Sequence, residues 1–138
     1  RLRAVAAERV VFLFDENTPH RLARALREEL GESAFHVLDV LQRGAPDEAV
    51  LRYAGERGWC MLSRDHRILH RPHERAVLTE MGMGAFFLKE TLTDLCEIVR
   101  ATVRHWPEMK RLGRSCERPF LFVVSETTVK PLRRRKLG

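Results

Sequence analysis

The stretch "VFLFDENTPHRLARAL", residues 11–26, carries an apolar run straight into three polar residues, Asp15, Glu16 and Asn17, and from there into a helix. Val10, Val11, Phe12, Leu13 and Phe14 are continuous and, Leu13 apart, β-branched or aromatic, the pattern of a strand covered on both faces in a parallel sheet. Thr18-Pro19 supplies an N-cap and a proline in the first helical turn. Leu22, Ala25, Leu26 and Leu30 then repeat at helical spacing until Gly31 ends the helix. Strand, polar turn and helix follow one another as in the first half of a βαβ unit.

Working outward, the same order recurs. A strand is expected over residues 34–40, followed through "LQRGAP" by a short helix that Asp47-Glu48 opens, with Val50, Leu51 and Ala54 inward, and that Gly55 and Gly58 close. "GWCMLSRDH" repeats the opening pattern, with a short apolar strand over 59–62 and then Ser63, Arg64 and Asp65. A basic stretch, "RDHRILHRPHER", leads into a helix over 72–81 stopped by Gly82, and "GAFFLK" makes a fourth strand. Thr91 or Thr93 is expected to cap a longer helix with Leu92, Leu95, Cys96, Val99 and Val103 inward, ending near Trp106-Pro107. "PFLFVVSE" gives a fifth strand, placed at an edge by Pro119. One domain is expected over residues 1–126, with a basic tail over 127–138.

Such alternation predicts an α/β domain of three layers, α/β/α, around a mainly parallel sheet of about five strands with right-handed crossovers. At 138 residues with 44% hydrophobic content the chain can bury a single core. Its longest apolar runs, 10–14 and 120–124, are far shorter than the roughly 20 residues that span a bilayer. The N-terminal arginines and apolar run end in Asp15-Glu16 without a small-residue cleavage site, which argues against a signal peptide and for a cytoplasmic protein. Cys60, Cys96 and Cys116 are odd in number and lack CxxC spacing, so reduced thiols are expected rather than a disulfide framework or a cysteine zinc site. The net charge of +6 favours polyanionic partners.

Ligands of such sheets bind beyond the carboxyl ends of the strands, which brings Asp15 and Asp65 to one edge, and the helix start at Asp47 lies on the same side. Three carboxylates about 5 Å apart repel by roughly 3 kcal/mol per pair at an effective dielectric near 20. Mg²⁺ or Mn²⁺, hard cations that take oxygen ligands, would offset this. Taken singly, Asp15 opens a turn, Asp47 caps a helix and Asp65 caps "HRIL"; two equivalent strand exits and one helix start all carrying aspartate favour a cluster. Arg64, Arg67, Arg71 and Arg75 lie close to Asp65 in sequence, and Arg43 precedes Asp47; their forks suit the phosphates of an RNA backbone. His66, His70 and His73 do not make a zinc motif, because the glutamate of HExxH is missing and Pro72 interrupts the helix. Trp59, Trp106 and Cys60 fall at core positions.

"FLFDENTPHRLARALRE", "PDEAVLRYAGERGWCMLSRD" and "FFLKE" together resemble the PIN-like domains of VapC-type toxins and related families, over roughly residues 9–125. The resemblance implies a metal-dependent ribonuclease, usually the toxin of a type II toxin–antitoxin pair. Asp15, Asp47 and Asp65 would hold the metal, with Asn17 supporting the first. The chain would then have an antitoxin partner and could pair as a homodimer. Two departures are visible: the fourth acid of many such domains has only Glu74 as a counterpart, and the second acid is often glutamate, so Glu48 competes with Asp47. Two other readings remain open. One is a non-catalytic RNA- or protein-binding module. The other is a phosphoacceptor receiver-like domain, whose lysine Lys89 echoes, although it follows the fourth strand and precedes Glu90-Thr91.

Overall fold

The computed structural model describes residues 9–132. Six strands form one sheet in the order β2-β1-β3-β4-β5-β6, with β1 Phe12–Phe14, β2 Ala34–His36, β3 Cys60–Ser63, β4 Gly84–Leu88, β5 Phe120–Val124 and β6 Val129–Pro131. The first five are mutually parallel, and β6 runs antiparallel to β5. The helices are α1 His20–Leu30, α2 Val37–Val40, α3 Asp47–Arg57, α4 Pro72–Glu80 and α5 Leu95–Ser115, with a 3₁₀ turn at His66–His70. The expected α/β class is the one observed, with six strands rather than about five.

β1, β3 and β4 are buried along their whole length because helices cover both sides. On one face Phe12, Phe14, Leu62, Phe86 and Phe122 pack against Leu22 and Leu26 of α1 and Ile98, Trp106 and Met109 of α5. On the other, Leu13, Met61, Ala85 and Phe87 meet Leu51 and Ala54 of α3, Ile68 and Leu69 of the 3₁₀ turn, and Val77 and Leu78 of α4. The alternation along each strand thus divides one apolar run between two cores.

Several local expectations are corrected. The strand expected over 34–40 stops at His36, where the imidazole Nδ1 accepts from Leu38 N–H and the Asp39 carboxylate accepts from His36 N–H, so α2 starts there instead. Ala25 and Leu30 of α1 face solvent, and Ala23 takes a core position. Asp94 and Glu97, not Thr91 or Thr93, form the capping box of α5. That start shifts the buried face to Ile98, Ala101, Thr102, His105, Trp106 and Met109, leaving Cys96 and Val103 exposed and Leu95 63% exposed. α5 also continues through Pro107, which sits on its solvent side, where a carbonyl left without its helical partner can be hydrated. β5 is not an edge strand: Pro119 lies just before its first paired residue and removes no ladder bond, while β6 covers its far side. Val129–Pro131 come from the stretch expected to be tail; the arginine run that follows lies outside the described residues.

Close approach explains two glycines. Gly55 lies inside α3 rather than closing it, and a Cβ there would come 2.7 Å from the Met81 Cβ. At Gly84 a Cβ would run into the Phe120 ring. Gly84→Ala is expected to lower stability by about 2 kcal/mol through overpacking. The check is a urea unfolding midpoint, which should fall without a change in slope.

Candidate functional site

β2 lies on one side of β1, and β3, β4 and β5 follow on the other, so the chain reverses its direction of sheet growth at β1. In such sheets the carboxyl ends flanking the reversal leave a crevice. A cleft of about 330 Å³ opens there, lined by Asp15, Glu16, Asn17, Arg43, Asp47, Asp65, Arg67 and apolar residues such as Met61 and Ile68. Asp15, Asp47 and Asp65 therefore reach one cleft from the end of β1, the start of α3 and the loop after β3.

The register explains the first contact. Phe14 pairs with Leu62, and Asp15 N–H donates to Leu62 O at 3.0 Å, so the next residues on the two strands, Asp15 and Ser63, stand side by side. The Ser63 hydroxyl donates to Asp15 Oδ2 and accepts from Asp65 N–H at 2.9 Å. Asp15 Oδ2 also accepts from Arg64 N–H at 3.2 Å, and Oδ1 from Asn17 N–H at 3.1 Å. Asn17 thus supports Asp15 through its backbone. The Asp15 carbonyl accepts from Thr18 N–H and Oγ1, and His36 Nε2 donates to Thr18 O at 3.0 Å, so the end of β2 braces the turn carrying Asp15.

Asp15 is only 7% exposed. Its burial pushes the carboxyl pKa up to about 6, against the pull of the bonds from Ser63, Arg64 and Asn17. Asp65 moves the other way, because Arg67 clasps it: Nε meets Oδ1 at 2.9 Å and Nη2 meets Oδ2 at 3.0 Å, while Arg67 N–H reaches Oδ1 at 3.0 Å. Asp47 is raised by desolvation and by the charge of Asp65, although Arg71 Nη1 lies 3.0 Å from its Oδ2. Glu48, the rival second acid, is taken by His73 and Arg52 at 2.6 and 2.9 Å and does not line the cleft. Glu74 contributes to the field at Asp47 without lining the cleft.

The candidate RNA-binding arginines separate by position. Arg43 is 78% exposed at the cleft, with Glu16 3.8 Å away. Arg67 and Arg71 hold Asp65 and Asp47. Arg64 points its guanidinium at the carbonyls of Asn17 and Leu92, at 3.4 and 3.2 Å, joining the loops after β1 and β4. Arg75 donates to Leu69 O at 3.1 Å and lines a groove against Phe120 and Pro131, away from the acids. The three histidines diverge, His66 donating to Leu88 O, His73 bonding Glu48 and His70 lying exposed. Cys60 is fully buried, and desolvation pushes its thiol up to about 11, so it packs rather than reacts.

Sequence reading passed over Ser63 and Glu16. The signal for Ser63 was its place as the last strand residue before Arg64-Asp65, opposite Asp15 in a parallel pair. Glu16 accepts from Gly44 N–H at 3.2 Å and ties the cleft to the loop before α3.

Carboxylate oxygens are the donors that hard divalent cations take, so the chemistry of this set fits Mg²⁺ or Mn²⁺. Among the described residues, no three His, Cys, Asp or Glu side chains stand close enough together to hold an ion as placed. Arg67 and Arg71 instead supply the positive charge at Asp65 and Asp47. No helix among the described residues is long and apolar enough to cross a membrane.

No curated protein and no solved structure matches the chain. A family model described as a PIN-like domain matches residues 10–90. That span covers more than half of the 138 residues and runs from β1 through β4, taking in Asp15, Asp47 and Asp65. The chain belongs to the PIN-like domain family.

Proposed function

We propose that the chain is a metal-dependent endoribonuclease and the toxin of a type II toxin–antitoxin pair. The observation that carries the reading is the convergence of Asp15, Asp47 and Asp65, from three separate elements, in one cleft at the reversal point of a parallel sheet. The PIN-like family match supports it. Asp15, Asp47 and Asp65 would hold Mg²⁺ or Mn²⁺, which when bound supplies an activated water for in-line attack on an RNA phosphodiester and stabilises the leaving 3′ oxygen. Ser63 fixes the rotamer of Asp15, and the Asn17 and Arg64 amides orient its two oxygens, so one ligand is set before any ion arrives. Arg43 offers its exposed guanidinium to the substrate backbone at the cleft mouth.

The test is incubation of end-labelled single-stranded RNA with Mn²⁺ and with a chelator. Cleavage is expected with Mn²⁺ only, giving 5′-phosphate and 3′-hydroxyl ends; equal cleavage in chelator, or none with either metal, overturns the nuclease reading. For the toxin half, expression of the chain alone should arrest growth and Asp15→Asn should relieve the arrest. An antitoxin protein that blocks the acidic cleft and pairing of two copies belong to the same proposal. The alternative of a non-catalytic binding module is favoured by one observation, the arginine partners that already neutralise Asp47 and Asp65. Unchanged thermal stability on adding Mn²⁺ would decide for it.

A further inference from the structure

We infer that Arg67 and Arg71 are exchangeable counter-ions: each holds a cleft aspartate in the ion-free protein and passes to a substrate phosphate once a divalent cation takes the carboxylates. Cation and polyanion then bind cooperatively. This rests on the metal-site reading above and adds to it a role for two residues of the chain itself.

The Arg67 fork uses both oxygens of Asp65, and its backbone N–H adds a third bond to Oδ1. A cation approaching Asp65 meets two oxygens already in use, so its affinity is lowered by the cost of breaking the fork. Arg71 makes one such bond, to Asp47 Oδ2. Arg67 lies within the 3₁₀ turn that follows Asp65 and Arg71 caps its end, so one short segment supplies both counter-charges.

What separates them from Arg64 is where they can go. Arg64 is tied to two backbone carbonyls and bridges two loops. The Arg67 side chain is 70% exposed, Arg71 is exposed too, and neither guanidinium bonds any carbonyl among the described residues. Released from the acids, the forks stand free at the rim of the cleft and match phosphate oxygens in the two-pronged way they matched a carboxylate. Without a cation, a phosphate has to break the same ion pairs and then face uncompensated carboxylates. Each ligand removes the obstacle to the other, and this coupling is reciprocal by linkage.

The experiment is calorimetric titration with Mn²⁺ alone on wild type, Arg67→Ala and Arg67→Lys, each confirmed as folded by circular dichroism. Its companion is binding of a 2′-O-methyl phosphorothioate oligonucleotide in Mn²⁺ and in chelator. Arg67→Ala is expected to bind Mn²⁺ roughly fivefold tighter than wild type, the size of one partly exposed ion pair. Arg67→Lys, which keeps the charge but not the fork, should fall between. Wild type should bind the oligonucleotide about tenfold tighter with Mn²⁺, and the Arg67→Ala/Arg71→Ala protein should lose most of that gain. Equal or weaker Mn²⁺ binding by folded Arg67→Ala overturns the exchange and leaves the metal site intact. Absence of Mn²⁺ binding in all three proteins overturns both.

Discussion

Asp15→Asn should reduce Mn²⁺-dependent RNA cleavage about a thousandfold, the scale on which removing one preorganised charged group from a reacting centre acts, while making the metal-free protein more stable above pH 7. The two effects have one cause. Asp15 is buried enough for its carboxyl pKa to rise from 3.8 to about 6, which says that its charge is poorly solvated without a cation. A folded-state pKa above the unfolded value means that the native protein holds the extra proton between those limits. Stability from this group is therefore unaffected below pH 3.8, declines as pH rises toward about 6, and stays reduced above it. The full reduction is about 3 kcal/mol from the size of the shift, and the amide recovers about 2 of this, since its one oxygen can still accept from Ser63 and Arg64 but its NH2 group cannot accept from Asn17 N–H as the second carboxylate oxygen does. Asp47 acts in the same sense, while neutral, buried His36 loses stability as pH falls below its ordinary 6.5. Both contribute equally to the two proteins, so the difference between wild-type and Asp15→Asn urea midpoints from pH 4 to 8 reads Asp15 together with its coupling to the Asp65 charge. Parallel curves over that range would contradict the burial argument, and cleavage at the wild-type rate would remove Asp15 from the chemistry.

The second large effect lies in the core. Phe86 is completely buried on β4, its ring 5.7 Å from Phe12, 5.4 Å from Phe120 and 5.7 Å from Phe122, so it joins three strands on the α5 face. Phe86→Ala leaves a cavity that these neighbours fill only by moving off their own contacts. A loss of about 4 kcal/mol is expected, a large share of the roughly 5–15 kcal/mol that holds such a domain together. Urea unfolding measures it. A loss under about 1 kcal/mol would mean that the face collapses without strain.

The alternation of strands and helices was legible because the central strands are continuously apolar and each is followed by capping and glycine signals, as between Phe14 and Gly31. Residues near Asp15 could be placed for the same reason: a strand exit is a position that topology alone assigns to one rim. Three things could not be read in this way. The burial phase of α5 depends on which residue caps it, and Asp94 had two threonines as rivals nearby. The end of β2 depends on Asp39 accepting from the His36 N–H and on the His36 imidazole accepting from the Leu38 N–H, a competition invisible to hydrophobic period. The state of the acids depends on the rotamers of Arg67 and Arg71, which proximity in sequence suggested as phosphate ligands but could not show clasping the carboxylates.

Ser63 sits between Asp15 and Asp65 with its single oxygen donating to one and accepting from the amide of the other. Only a side chain carrying a hydroxyl one bond from its β-carbon can serve both at that spacing. The Asp15 carboxylate and the Asp65 backbone are thereby tied through one oxygen, so a displacement of β3 against β1 is felt at both acids.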